Sequence, residues 1–121
     1  LMKAISAIGA QGGAVIVGRG AGLYLDRDRT VTVRVHAPLD LRVERVSRNG
    51  SLPLDEARAR VARSDANRGA YLRQHFHVAW GDPLLYDLTI NTEHTPVPAT
   101  VRAVVACAEE RFPGLLDGSS R

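Results

Sequence analysis

The sequence predicts an α/β fold in three layers, a parallel sheet with helices on both of its faces. Short apolar or β-branched runs of strand length alternate along the chain with longer segments of helical pattern. Such alternation is typical of parallel strands joined by crossover helices. The 121 residues are 45% hydrophobic and 24% charged, which is ordinary for a globular protein. We expect one domain over residues 1–112 and a flexible tail at 113–121.

The N-terminal part of the chain predicts one helix and two strands. Residues 2–11 form a short helix that Gly12 and Gly13 end. The apolar run at 14–17 is typical of a strand buried on both faces. Residues 31–36, VTVRVH, alternate and are rich in β-branched side chains, so they form the second strand.

The middle of the chain predicts two helices. Pro38 closes the second strand, and Asp40 caps a helix over about residues 41–48. Pro53, at a first helical position, opens a long helix over about residues 53–76. A short connection therefore joins the two helices.

The C-terminal part predicts a third strand and a final helix. Residues 81–83, Gly-Asp-Pro, form a loop, and residues 86–91, YDLTIN, form the strand. Thr95 and Pro96 then begin a helix that extends to about Phe112. The chain shows neither an internal repeat nor a domain linker.

The stretch VIVGRGAG at residues 15–22 has the form of a nucleotide-binding turn. Gly18 and Gly20 fit the first half of the dinucleotide-binding motif G-x-G-x-x-G, but Leu23 stands where its third glycine belongs. Only 13 residues separate the first two predicted strands, too few for the helix that carries the pyrophosphate. The sequence therefore excludes a dinucleotide-binding turn.

The phosphate loop of nucleoside-triphosphate enzymes, G-x-x-x-x-G-K-[ST], is also absent from these residues. The lysine of that motif contacts the β- and γ-phosphates, and here Lys3 is the only lysine among 16 basic residues. The others are arginines, whose planar fork suits bidentate phosphate contacts. We therefore expect arginine side chains, and not lysine, to make the phosphate contacts of this chain.

The composition of the chain limits the binding partners and the cellular location that we expect for the protein. A formal charge of +3 is too small to favour nucleic acid as a partner without an aromatic and basic surface. No apolar run approaches the roughly 20 residues that span a bilayer, and the N-terminus lacks a signal-peptide pattern. We therefore expect a cytoplasmic protein without membrane contact, in which Cys107 is a buried thiol.

Four segments taken together resemble the cytidylate kinase-like family, relatives of the nucleoside monophosphate kinases. They are GRGAG, VRVHAPLDLRVERVSR, ARSDANRGAY and WGDPLLYDLTINT, in matching order and spacing across residues 3–110. The resemblance implies a partial P-loop kinase-like fold. It also implies transfer of a phosphoryl group from ATP, with Mg, to CMP or a similar nucleoside monophosphate by the full-length family.

The resemblance also implies what is missing. Residues 1–112 correspond to the C-terminal two thirds of the family domain, and the remaining N-terminal third carries the phosphate loop. We therefore expect this chain alone to hold neither ATP nor a metal ion and to be inactive. A non-catalytic module that binds a nucleotide or another anion is the alternative function.

The resemblance assigns two groups of residues to the nucleotides. Gly18, Arg19 and Gly20 match the turn whose arginine meets the phosphate of the acceptor nucleotide. Arg45 and Arg48 match the arginines beside the lid, which contact the donor nucleotide and its transferring phosphate. The lid itself is very short in this sequence.

A third group lies on the helix that returns from the lid. Arg63 and Arg68 match arginines that neutralise the transferring charge, and Asp65 matches the aspartate that orients them or the acceptor base. Phosphoryl transfer depends mostly on positioning and charge neutralisation. An arginine-rich wall around the phosphates is therefore the expected chemistry.

Simpler interpretations of the same residues stay open. Arg42, Arg45 and Arg48, spaced i, i+3, also fit a solvated helix face. Asp65 and Arg68, again i and i+3, also fit an ordinary ion pair along one helix.

The resemblance predicts a gap in the sheet. In the family fold another strand lies between those that correspond to 14–17 and 31–36, and 86–91 lies outside the latter. Without that strand, two apolar edges carry unpaired backbone groups, each costing about 1–3 kcal/mol if buried. We expect 14–17 to pair directly with 31–36, or a strand from a second copy or another protein to complete the sheet.

Overall fold

The computed structural model describes Gly13, residues 15–16 and residues 20–114. In these residues a two-stranded parallel sheet is accompanied by three α-helices. The strands are β1, Val33–His36, and β2, Leu88–Asn91, and the helices are α1, Leu39–Gly50, α2, Leu54–Phe76, and α3, Val97–Arg111. Short 3-10 turns lie at Ala21–Leu23, Arg27–Arg29 and Pro83–Leu85. No helix of this described part is long and apolar enough to cross a bilayer.

The two strands run in the same direction, and both carboxyl ends meet at one edge of the sheet, where His36 lies opposite Asn91. Backbone hydrogen bonds extend the pairing beyond both ends. Asp87 N–H donates to the Thr32 carbonyl at 2.8 Å, and Thr92 N–H donates to the His36 carbonyl at 2.8 Å. The predicted parallel pairing of these two strands is confirmed, although each is two residues shorter than its predicted run.

Several predicted features fall wholly or mainly outside the described residues. They are the helix at 2–11, most of the strand at 14–17 and most of the tail at 113–121. Val15 and Ile16 are described, belong to neither a helix nor a strand, and Val15 is 94% exposed. At Val15 and Ile16 the prediction of a strand buried on both faces is therefore wrong. The third layer and a completing strand from another chain stay predictions.

Proline fixes the starts of α1 and α2. Pro38 and Pro53 precede the first helical residues with ψ near 150° (147° and 149°), which is extended backbone. α1 therefore begins at Leu39, two residues earlier than predicted, and the prediction that Asp40 caps it is wrong. Asp40 lies inside the first turn, where its Oδ1 accepts a hydrogen bond from Arg58 Nη2 of α2 at 3.2 Å.

α1 and α2 form a helical hairpin around a small buried core. Val43 of α1 and Ala57 and Val61 of α2 are buried together, and Val46 packs against them. Ala57 and Val61 are spaced i, i+4, so they lie on one face of α2. This shared core sets the position of α1 relative to α2.

The connection between the two helices is short and internally bonded. Ser51 ends α1 in the left-handed region at φ 52°, and only the three residues Ser51–Pro53 precede α2. The Ser47 carbonyl accepts the N–H of Leu52 at 2.9 Å, and the Ser47 hydroxyl donates to the Leu52 carbonyl at 2.6 Å. The short lid expected from the sequence is therefore a tight turn.

α3 follows Pro96, as predicted, and lies beside β2. None of its residues is buried, and Val97 and Val101 are 75% and 53% exposed. One link of α3 to the sheet is polar and lies in its last turn.

Asp87 is the carboxylate that makes this link. Its Oδ2 accepts the N–H of Thr32, just before β1, at 2.8 Å. Arg27 lies 3.5 Å from Oδ1, and Arg111 of α3 lies 3.4 Å from Oδ2. Arg111 also donates to the carbonyl of Arg27 at 2.6 Å. One carboxylate thus joins the starts of both strands, the turn at Arg27–Arg29 and the end of α3.

We expect Asp87→Ala to lower the free energy of unfolding by about 1–3 kcal/mol, because a strand N–H and two arginines lose their shared acceptor. Glu109→Ala is the matched control on α3. Glu109 is exposed and its side chain makes no hydrogen bond or ion pair with a described residue, so its change should stay within about 0.5 kcal/mol. Urea unfolding followed by circular dichroism measures both, and equal losses would contradict the role given to Asp87.

Candidate functional site

Two arginines of α1 lie at the carboxyl ends of the strands. Arg42 donates from Nε to the carbonyl of Ala37, the residue after β1, at 2.9 Å. Arg45, nearly one turn later, donates from Nη1 to Thr92 Oγ1 at 2.9 Å and from Nη2 to the Thr92 carbonyl at 3.2 Å, just after β2. This edge of a parallel sheet is where α/β proteins bind ligands. α1 therefore brings two cations to the expected place.

Asp65 of α2 is the ion-pair partner of Arg42. Arg42 Nη1 lies 3.0 and 2.9 Å from the two oxygens of the carboxylate, and each side chain is 32% exposed. The simpler interpretation, an ion pair of Asp65 with Arg68 along α2, is not what the described residues show. In the sequence, Arg42 is marked only by its i, i+3 spacing to Arg45. That spacing fits a solvated helix face equally well.

Two of the predicted arginines, Arg48 and Arg63, are not held at this edge. Arg48 pairs with Glu44 at 2.7 Å, one turn back on α1, and its side chain is 67% exposed. Arg63 is exposed, and its side chain makes no hydrogen bond or ion pair with a described residue. A solvated helix face therefore describes Arg48 but not Arg42 or Arg45, both of which are half-buried and bonded across the fold.

Arg68 lies against a tryptophan. Its guanidinium carbon is 5.0 Å from the centre of the Trp80 ring, and that of Arg34, in β1, is 5.3 Å from the same ring. Arg34 Nε is buried without a hydrogen-bond partner, an arrangement that costs about 1–3 kcal/mol for a neutral group and more for a charged one. Neither Arg34 nor Trp80 is among the predicted site residues. The available signal was a charged residue at the centre of the alternating run VTVRVH.

Tyr86 completes the surroundings of Trp80. Its hydroxyl donates to the Trp80 carbonyl at 2.7 Å, and the Arg34 guanidinium carbon lies 6.0 Å from its ring. Burial raises the pKa of Tyr86, Asp82 raises it further, and the positive charges of Arg34 and Arg68 oppose the rise. Two cations and one carboxylate therefore act on this tyrosine.

Gly20, the last residue of the predicted glycine turn at 18–20, lies beside α2. Gly18 and Arg19 lie outside the described residues, whereas Gly20 has φ 62°. A Cβ placed on Gly20 would lie 3.0 Å from Leu72 Cδ2, and Leu72 is one turn beyond Arg68. The structure thus places the end of the turn close to the helix that carries Asp65 and Arg68.

An aromatic cluster supports this contact. The hydroxyls of Tyr24 and Tyr71 are 2.7 Å apart, and Phe76 packs edge-on against the Tyr24 ring at 4.9 Å. The hydrogen bond with Tyr71 is the main cause that raises the pKa of Tyr24. The segment after Gly20 is therefore held to the C-terminal half of α2.

Comparison with protein families gives a match over most of the chain. A sequence model of the cytidylate kinase-like family matches residues 1–94. The matched range contains every residue that the resemblance assigns to the site, and it ends before α3.

Individual relatives agree with this match. The chain is 31% identical over 112 residues to the cytidylate kinase of Pyrococcus horikoshii, covering 92% of this chain and 57% of that protein. It is 26% identical over 103 residues to the cytidylate kinase of Aeropyrum pernix (84% and 60% covered). It is 31% identical over 100 residues to that of Thermococcus sibiricus (82% and 51% covered). The chain thus spans between about half and three fifths of the length of these relatives.

A double-mutant cycle of Arg42→Leu and Asp65→Asn should give a coupling energy of about 1 kcal/mol, because the pair is only partly exposed and joins two helices. Arg48→Leu with Glu44→Gln is the matched control along one helix, and we expect about 0.3–0.5 kcal/mol there. Urea unfolding of each single and double variant supplies the four free energies. A coupling no larger than that of the control would show that Arg42 does not hold α1 to α2.

Gly20→Ala and Gly69→Ala should change stability in opposite directions. Alanine at Gly20 takes a left-handed φ and meets Leu72, so we expect a loss of about 1–2 kcal/mol. Gly69 lies inside α2 with nothing within 4 Å of an added Cβ, so we expect a gain of about 0.5–1 kcal/mol. Thermal unfolding of both variants is the measurement, and a gain at Gly20 would contradict the described turn.

Proposed function

Because the chain belongs to the cytidylate kinase-like family, we propose that it forms the acceptor side and the arginine-lined wall of a nucleoside monophosphate kinase. The reaction moves the terminal phosphoryl group of ATP to CMP or a similar nucleoside monophosphate. The observation that carries the proposal is the placement of Arg42 and Arg45 at the carboxyl edge of the sheet, with Asp65 holding Arg42.

This placement suits phosphoryl transfer. The transferring group spreads negative charge over its oxygens, and catalysis consists mainly of positioning and of neutralising that charge. Arg45 and Arg48 face the donor side in this proposal. Arg63 and Arg68 neutralise the transferring charge, while Asp65 keeps its neighbouring arginine in a set orientation.

The acceptor side is assigned to the glycine turn. Arg19, between Gly18 and Gly20, contacts the phosphate of the acceptor nucleotide in this proposal. Support comes from Gly20, which packs near Leu72 of α2 one turn from Arg68. The proposal thus assigns the acceptor phosphate to a position near the charge-neutralising arginine.

We assign no residue of this chain as a ligand of ATP or Mg. The motif G-x-x-x-x-G-K-[ST] is absent from its 121 residues. The described residues also contain no group of three or more His, Cys, Asp or Glu side chains arranged to hold a metal ion. We therefore derive no step through Mg, and we propose that these residues alone bind the acceptor nucleotide without turnover.

Two measurements on the 121-residue chain test this proposal. Titration calorimetry with CMP, dCMP, ATP and sulfate should show CMP binding that Arg19→Ala weakens about tenfold or more, the loss expected for one charged hydrogen bond. Arg102→Ala removes an exposed arginine of α3 without a described ion pair, and it should leave CMP affinity unchanged. A coupled assay for ADP formation from ATP and CMP should show no turnover.

Each other outcome changes the conclusion. Turnover that Arg19→Ala abolishes would show that these residues are a complete catalyst. CMP binding without turnover, both here and after addition of a separate phosphate-loop segment, would favour the non-catalytic binding module. Absence of CMP binding would overturn the proposed acceptor site.

A further inference from the structure

Two positive side chains approach one aromatic ring in this fold. The guanidinium carbons of Arg34, in β1, and Arg68, in α2, lie 5.3 and 5.0 Å from the centre of the Trp80 ring. Neither guanidinium group makes a hydrogen bond or an ion pair with a described residue. Two positive charges beside the same tryptophan repel each other, and an anion that binds to both relieves that repulsion.

Asp82 does not supply that anion. Its charge acts on Tyr86, but its Oδ1 accepts the N–H of Leu84 at 2.9 Å, and it forms no ion pair within the described residues. The carboxylates of Asp65 and Asp87 are engaged by other arginines. The two guanidinium groups at Trp80 therefore stay without a matching negative charge.

Stacking leaves the guanidinium groups free to bind. A guanidinium that lies over an aromatic ring uses its flat face, while its N–H groups point outward in the plane of the group. Contact with Trp80 therefore uses no N–H donor of either arginine through a hydrogen bond, although Arg34 Nε is itself buried. Two such forks match an anion with several oxygens and a charge near −2, which a phosphate monoester carries at neutral pH.

We propose that Arg34 is a binding residue for the phosphate group of the acceptor, acting with Arg68 on the Trp80 platform. The assignment rests on the proposed function, because Arg68 belongs to the site described there. Arg34 itself lies outside the residues that the family resemblance assigns. The ligand class is a phosphate monoester, with inorganic phosphate as its simplest representative.

Fluorescence tests the proposal directly, because Trp80 is the only tryptophan of the chain. At constant ionic strength, inorganic phosphate and CMP should each change Trp80 emission saturably. Arg34→Leu should weaken both about tenfold or more. Arg102→Leu, which removes the same charge on α3, should leave both affinities unchanged.

A second measurement uses the unaltered chain and therefore does not depend on how Arg34→Leu folds. Iodide, an anion, should quench Trp80 more strongly than neutral acrylamide does, and phosphate should reduce the iodide effect more than chloride at equal ionic strength. Iodide quenching that phosphate leaves unchanged would overturn the proposal.

The outcomes separate this inference from the proposed function. If Arg34→Leu binds CMP as the unaltered chain does while Arg19→Ala weakens it, Arg34 is not a ligand and the proposed function stands. If phosphate binding depends on Arg34 but CMP binds no more tightly than phosphate, the anion site stands and the nucleotide acceptor site fails. Absence of any response to phosphate or CMP overturns both.

Discussion

Arg42 contacts two other segments at once, and the candidate site depends on this. Its Nε holds the end of β1 through Ala37, and its Nη1 holds α2 through Asp65. Arg45 lies on the same helix as Arg42. The bonds of Arg42 therefore also fix the position from which the Arg45 side chain contacts Thr92, just after β2. A change in the rotation of α1 would break all three contacts together, since side chains three residues apart share one face of a helix. The charge of the site is thus organised by one helix whose orientation is doubly constrained.

Local sequence signals predicted the helices and strands that the structure describes. They did not predict contacts between residues that are far apart in the chain. Proline and β-branched patterns act within a few residues, so the helices after Pro38 and Pro53 and the strand cores were predictable to within about two residues. The partner of Asp65 was not, because Arg42 is 23 residues away along the chain, whereas the sequence offered Arg68 nearby. The position of Arg34 in an alternating run showed that it was unusual but could not show that Trp80 lies beside it.

The arginines of the fold divide into two classes by their contacts. Arg42 and Arg45 are held by oxygen acceptors within the protein. The charge of Arg42 is balanced by Asp65, whereas Arg45 bonds only neutral oxygens and supplies fixed positive charge at the sheet edge. Arg34 and Arg68 lie beside an aromatic ring, and their guanidinium groups make no hydrogen bond or ion pair with a described residue. A site that must bind and release an oxyanion benefits from both, because the first class provides electrostatic potential without reorganisation and the second provides exchangeable hydrogen bonds.

The connection at Ser51–Pro53 also determines how such a site can open and close. An extended chain spans at most about 3.3–3.6 Å per residue, so three residues reach about the width of one helix and cannot fold over a nucleotide. α1 and α2 are further joined by the buried contact of Val43 with Ala57 and Val61. α1 and α2 are therefore held as one rigid unit, and its contacts with the strand ends through Arg42 and Arg45 would have to break before the pair could rotate.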